Sequence, residues 1–223
     1  NITVSPLSFL TETCADTPVV LELSSWQLGD LGQCPQFKPK IALLTSIMPD
    51  HQNWYGSMEP YVADKKIIYR NQDKSDYTIC NYDDEWGSVF ARETAGQVFW
   101  YSTKPLAPQL LGAWIENDGS ARIRLEPGKD RLLLPSRIAV PGRALKQNVM
   151  AASLALALYG VPIADIPGCM QHYRGIPHRL EFFYETERFK FYNDSAATIP
   201  EAAAAAVNAF EKPVILITGG TDK

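Results

Sequence analysis

Four side chains in the first third of the chain have the types and the setting to do chemistry: Glu22, Asp50, His51 and Lys65. The chain has 3 histidines. One of them, His51, stands beside Asp50 shortly after the apolar run "PKIALLTSI" (Pro39 to Ile47). In open parallel sheets, ligands bind beyond the carboxyl ends of the strands, and that is where this pair would fall. Glu22 interrupts another apolar run, "PVVLELSS" (Pro18 to Ser25). A carboxylate buried in such a strand needs a counter-charge or a metal. Glu22 and His51 on neighbouring strands would form a hard oxygen-plus-imidazole corner suited to Mg2+ carrying phosphate; the alternative is a Glu–His hydrogen bond inside the core. Lys65 is flanked on its own helical face by Met58, Tyr61, Val62, Ile68 and Tyr69. A lysine so placed either snorkels to water or is desolvated, which lowers its pKa and frees a neutral amine to react with a carbonyl or CO2.

The elements that must position these groups follow from pattern. The two apolar runs predict short buried parallel strands. Ser57 is set to cap a helix from Met58 to about Tyr69. "YTICN" (Tyr77 to Asn81) predicts a third strand, followed by a helix around Glu85 to Arg92. From Gln97 to about Leu134, short strands broken by Gly, Asn, Asp and Pro predict an antiparallel excursion. "ALKQNVMAASLALALYG" (Ala144 to Gly160) predicts a helix buried on most sides and closed by Gly160. A Gly/Pro hinge, "YRGIPHR", marks a domain boundary near Tyr173, giving domains 1–173 and 174–223. Beyond it come two strands, a helix with Thr198 and Glu201 as a capping box and Pro200 in its first turn, and a final strand, "PVILITGG". The fold class is α/β: a mostly parallel central sheet flanked by helices.

Composition narrows the function. A net charge of −4 without a Lys/Arg cluster argues against nucleic acid. No apolar run approaches the roughly 20 residues needed to span a bilayer. Cys14, Cys34, Cys80 and Cys169 have neither CxxC nor metal spacing, and predict reduced thiols in a cytoplasmic protein. The start at Asn1 and the stop just after a strand suggest a piece of a longer protein.

Six segments, "LELSSWQL", "PDHQNWYGSMEPYVADK", "QNVMAASLALAL", "GIPHRLEF", "NDSAATIPEA" and "LITGGTDK", occur in the order and approximate spacing of the Mur ligases, so that nearly the whole chain resembles that family, and within it the D-glutamate-adding branch. The resemblance implies a P-loop NTPase-like central domain joined to the start of a Rossmann-like C-terminal domain. It also implies ATP-dependent amide formation in peptidoglycan synthesis, with UDP-N-acetylmuramoyl-L-alanine and D-glutamate as substrates, an acyl-phosphate intermediate, and a monomeric state. Carried over by motif, Glu22 and His51 would bind Mg2+, and a carbamylated Lys65 would bind a second Mg2+. Asn148, Arg179 and Asp194 would contact ATP; for Asn148 the alternative is a satisfied polar residue in the first helical turn, and for the other two a hinge salt bridge. Asn1 and Ser24 would face the muramoyl substrate, and Thr198 and Lys223 the incoming D-glutamate.

Departures from the family pattern are local. Ala196 replaces a lysine, Gln147 a histidine, Ala151 an asparagine, and Ser46 and Met48 the usual Asn and Thr. No Gly-x-x-Gly-Lys-Thr/Ser loop occurs in the 223 residues, so the segment alone is expected to bind ATP poorly and to be inactive. The competing readings are another Mur or folylpolyglutamate-type ligase, and a catalytically silent interaction module on the same fold.

Overall fold

The computed structural model describes residues 5–220; Asn1 and Lys223 therefore lie outside the described residues. A 3-10 turn (Pro6–Glu12) leads into an extended stretch and then α1 (Ser25–Leu31). There follow β1 (Ile41–Leu43), α2 (Gln52–Tyr55), α3 (Met58–Lys66), β2 (Tyr77–Asn81), α4 (Glu85–Glu93), β3 (Gln97–Ser102), β4 (Gly112–Ile115), β5 (Ala121–Arg124) and β6 (Asp130–Leu134). α5 (Arg143–Tyr159), α6 (Ile166–Gln171), the hairpin β7 (Glu181–Glu185) and β8 (Lys190–Asn193), and α7 (Pro200–Val207) complete the order.

β1 to β6 form one sheet in sequence order, and β7–β8 a separate antiparallel pair. Because alternate side chains leave opposite faces of a strand, β2 feeds two cores at once. Ile79 joins Phe99, Tyr101, Ile123, Leu133, Met150 and Leu154 under α5, whereas Cys80 joins Ala42, Leu44, Val62, Tyr69 and Phe90 under α3 and α4. Helices on both faces bury the parallel strands, the arrangement such sheets need. α4 lies so close to β2 that a Cβ on Gly87 would meet the Asn81 carbonyl oxygen at 1.8 Å.

Several expectations are corrected. Among the described residues the run Pro18–Ser24 makes no ladder, and Val20 is 94% exposed; among them β1 is the edge of the sheet and pairs with β2 alone. An apolar run becomes a strand only where a neighbour supplies backbone partners, and none does among the described residues. Glu22 is accordingly exposed rather than buried. The same holds for residues 213–220, where Ile217 is 94% exposed and no strand forms. β3 and β4 continue the parallel part of the sheet, and reversal begins only at β5. α5 leaves a stripe of Asn148, Ala152, Leu156 and Tyr159 exposed, the i, i+4 spacing of one open face. α3 ends at Lys66 and tightens into a 3-10 turn over Ile67–Tyr69.

The capping box foreseen at Thr198–Glu201 is also absent: Ile199 occupies the N-cap without a side-chain bond, although Pro200 does open the helix. A capping box occurs instead at α1, where Ser24 Oγ accepts from Gln27 N–H and the Gln27 side chain accepts from Ser24 N–H at 2.9 Å.

Candidate active site

Lys65 owes its position to the turn spacing of α3. Tyr61, one turn earlier, is buried, and the Lys65 ammonium lies over its ring at 4.9 Å. Burial pushes the Lys65 pKa down, and the Asp50 carboxylate opposes that shift. Among the described residues Nζ has no hydrogen-bond acceptor and no ion pair. Nor can Tyr61 supply an anion, because burial and the neighbouring Asp50 hold its phenol up to about 12.

His51 is set by its backbone. It caps α2 with φ 54° and ψ 26°, a left-handed conformation uncommon outside glycine and somewhat tolerated by histidine. Asp50 holds it twice: Oδ1 accepts from the His51 N–H at 2.8 Å, and Oδ2 stands 3.5 Å from Nε2. The Nδ1 atom makes no hydrogen bond among the described residues. The imidazole packs against Trp26 of α1, ring centroids 4.8 Å apart and tilted by 42°, and Trp54 meets Trp26 edge-on at 6.3 Å. α1 in turn packs on α3, with Gly29 so close to Asp64 that a Cβ would lie 3.0 Å from Oδ2; Asp64 accepts from the Tyr55 hydroxyl at 2.9 Å.

Asp50 is thus the link: it holds His51 and acts electrostatically on Lys65. Ser24 is spent on its cap. Glu22 lies exposed on the extended segment, four residues before the Trp26 that touches His51. Arg179, Asp194 and Thr198 form a separate group. Asp194 accepts from the Leu180 N–H at 2.9 Å, but no ion pair joins it to Arg179 among the described residues, so the expected hinge salt bridge is not formed. No hydrogen bond or ion pair links these three to His51 or Lys65. Asn148 is exposed and lies in the second turn of α5 rather than the first.

Sequence reasoning missed a cavity of about 540 Å³ beyond the carboxyl ends of β1, β2 and β3, lined by Ser46, Asn81, Asp83, Asp84, Thr103 and Gln147, among others. Neither His51 nor Lys65 lines it. Its acidic wall is internally satisfied. Asp83 accepts from Ser102 Oγ at 2.8 Å and from Thr103 N–H at 2.6 Å, and Asp84 from Ile47 N–H at 2.8 Å. The Gln147 amide donates toward Asp83 at 3.3 Å. "NYDDE" directly after a buried strand was the signal: a polar cluster at the sheet edge where ligands bind. Also missed was His178, whose Nδ1 lies 2.9 Å from Asn193 Nδ2 and 3.3 Å from Ser195 Oγ.

The Mur ligase middle domain matches residues 4–156, and the chain belongs to the Mur ligase family. It is 39% identical over its whole length to the UDP-N-acetylmuramoylalanine--D-glutamate ligase of Treponema pallidum, covering 54% of that protein. It is 35% identical to the ligase of the same name from Thermoanaerobacter sp., over 95% of this chain and 45% of that protein. The chain thus spans about half the length of the curated relatives it matches. Among solved structures, MurF from Acinetobacter baumannii superposes with a TM-score of 0.59 at 21% identity, covering 77% of this chain and 37% of that one. The Thermotoga maritima MurF ligase in complex with ADP gives 0.53 at 17%, covering 84% and 42%. At these identities the structures bear on the fold alone. Among the described residues no helix is long and apolar enough to cross a membrane.

Proposed function

We propose that the intact protein is an ATP-dependent amide ligase that adds D-glutamate to UDP-N-acetylmuramoyl-L-alanine in peptidoglycan synthesis. The observation that carries this reading is the desolvated Lys65 beside Asp50–His51, in a chain similar along its whole length to ligases of that name. Residues 1–173 would be the central nucleotide-binding domain and 174–223 the start of the amino-acid-binding domain. A monomer working in the cytoplasm fits the substrates, and the free state of Cys14, Cys34, Cys80 and Cys169 is in keeping with that compartment.

The reaction has two transfers. A carboxylate oxygen of the muramoyl-alanine attacks the γ-phosphorus of ATP and ADP leaves, giving an acyl phosphate. The amine of D-glutamate then attacks the acyl carbon; the C–N bond forms, the C–O bond to phosphate breaks, and the amine proton passes to solvent or a base. Such chemistry depends on positioning and on charge neutralisation. Within this chain, Asp50 holds His51, and burial keeps Lys65 ready to lose its proton. A neutral Lys65 amine adds to CO2, forming an N–C bond and releasing a proton, so that a cation becomes an anionic oxygen donor.

The donor chemistry fits Mg2+. Among the described residues His51 Nδ1 and Lys65 Nζ make no hydrogen bond, and Glu22 stands four residues before the Trp26 that touches His51. Glu22 and His51 would hold one Mg2+ and the carbamylated Lys65 a second, and the ions would supply charge neutralisation at the phosphoryl oxygens. Arg179, Asp194 and Asn148 would contact the ATP, Asn1 and Ser24 the muramoyl substrate, and Thr198 and Lys223 the D-glutamate.

The test is phosphate release by the full-length protein with UDP-N-acetylmuramoyl-L-alanine, ATP and a panel of amino acids. Release that depends on D-glutamate supports the reading. Release with a different amino acid, or with none, overturns it.

A further inference from the structure

Two tryptophans stand beside His51 and are left in water, Trp26 49% exposed and Trp54 74% exposed. Large aromatic groups gain from burial, so a pair kept at the surface must be held there by what it touches. The centroids of the Trp26 and His51 rings lie 4.8 Å apart with a 42° tilt, and Trp54 meets Trp26 edge-on at 6.3 Å and 70°. The contact is made between elements: Trp26 belongs to α1, whereas His51 and Trp54 are the cap and first turn of α2.

That contact joins α1, which the Ser24–Gln27 capping box starts, to the cap of α2. A ring packed against the imidazole restrains its rotation. Asp50 restrains its Nε2 at 3.5 Å.

We propose that Trp26 is a positioning residue: its indole, braced by Trp54, restrains the ring of His51. The kinetic half of this inference rests on the ligase reading; the structural half does not.

The test uses 13C-labelled histidine. With 3 histidines in the chain, the His51 signal is assigned by its loss in His51→Gln. The Trp26 ring current sets that signal apart from those of His172 and His178. It moves toward them in Trp26→Leu, moves less in Trp54→Leu, and stays displaced in Trp26→Phe. In the full-length enzyme, Trp26→Leu lowers kcat at least tenfold with the KM for the muramoyl substrate changed less than threefold, and Trp26→Phe recovers most of the rate. An unmoved His51 signal in Trp26→Leu overturns the proposal. So does a moved signal with unchanged kcat, since Trp26 would then be packing alone. If the wild-type enzyme releases no phosphate, the ligase reading fails by itself, and the displacement of the His51 signal decides whether Trp26 holds the ring.

Discussion

Lys65 and Lys146 are both lysines drawn into the protein, both with pKa values lowered by burial and each opposed by one aspartate, Asp50 or Asp118. Their surroundings otherwise differ completely. Lys146, on α5, donates to the carbonyl oxygens of Ser136 at 2.6 Å and Pro135 at 3.0 Å, and also to that of Gly119. Its three donors are spent tying the β4–β5 turn and the loop before α5 to the helix, so the ammonium serves the fold. Lys65 has an aromatic face and a carboxylate acting through space, and no acceptor. Satisfied donors make a buried cation structural, whereas unsatisfied ones keep its proton labile and its nitrogen available.

The largest effect that would sharpen this contrast is chemical. Lys65→Ala in the full-length ligase is expected to lower D-glutamate-dependent phosphate release by about a thousandfold or more, as when a metal-holding or charge-stabilising group is lost. Lys146→Met should leave the rate per folded molecule within a few-fold; comparable losses from both would break the comparison. In denaturant titrations the order reverses. Lys146→Met removes the cation that ties three loop carbonyls to α5 and should cost about 1–3 kcal/mol, whereas Lys65→Met relieves a desolvated charge and should not destabilise.

A further check on the sheet edge is Gly87→Ala. Its Cβ would press on the Asn81 carbonyl at 1.8 Å and should cost about 1–3 kcal/mol by overpacking, measured by thermal or urea unfolding.

The smallest expected effect is in pH dependence. With the Lys65 pKa depressed in the folded state, the unfolded chain binds more protons between that lowered value and the ordinary lysine value. Stability gains from this group as pH rises through the window. The advantage of Lys65→Met over wild type should therefore shrink from pH 7 toward pH 10 in urea titrations; an advantage that grows would show that Lys65 is stabilised, not stressed, as a cation.

How much of this was legible depended on whether the information was local. The turn spacing that places Lys65 among Tyr61, Val62 and Tyr69 is periodic, and α3 formed where it was read. Gly160 closes α5 in the left-handed conformation at φ 110°, as its place after the helix predicts. Strand partners are not local. "PVVLEL" and "PVILIT" carry the composition of strands, but composition cannot name a neighbour, and no ladder forms on either run among the described residues. Glu22 followed that error, since its predicted burial depended on its strand. The Ser24–Gln27 box was readable and was passed over because the same residues had been assigned to the strand. Gln147 and Asp83, 64 residues apart in sequence, meet only through tertiary packing, and nothing in either segment announces the other.

The hinge carries a mechanical consequence. His178 and Leu180 both adopt left-handed conformations, and the stretch around them is sewn to the far side of the hairpin through Asn193, Asp194 and the Ala196 N–H. Residues 178–196 are therefore tied into one unit across the hairpin. The chain enters it through Gly175, whose φ of 95° is a conformation that a side chain there would strain.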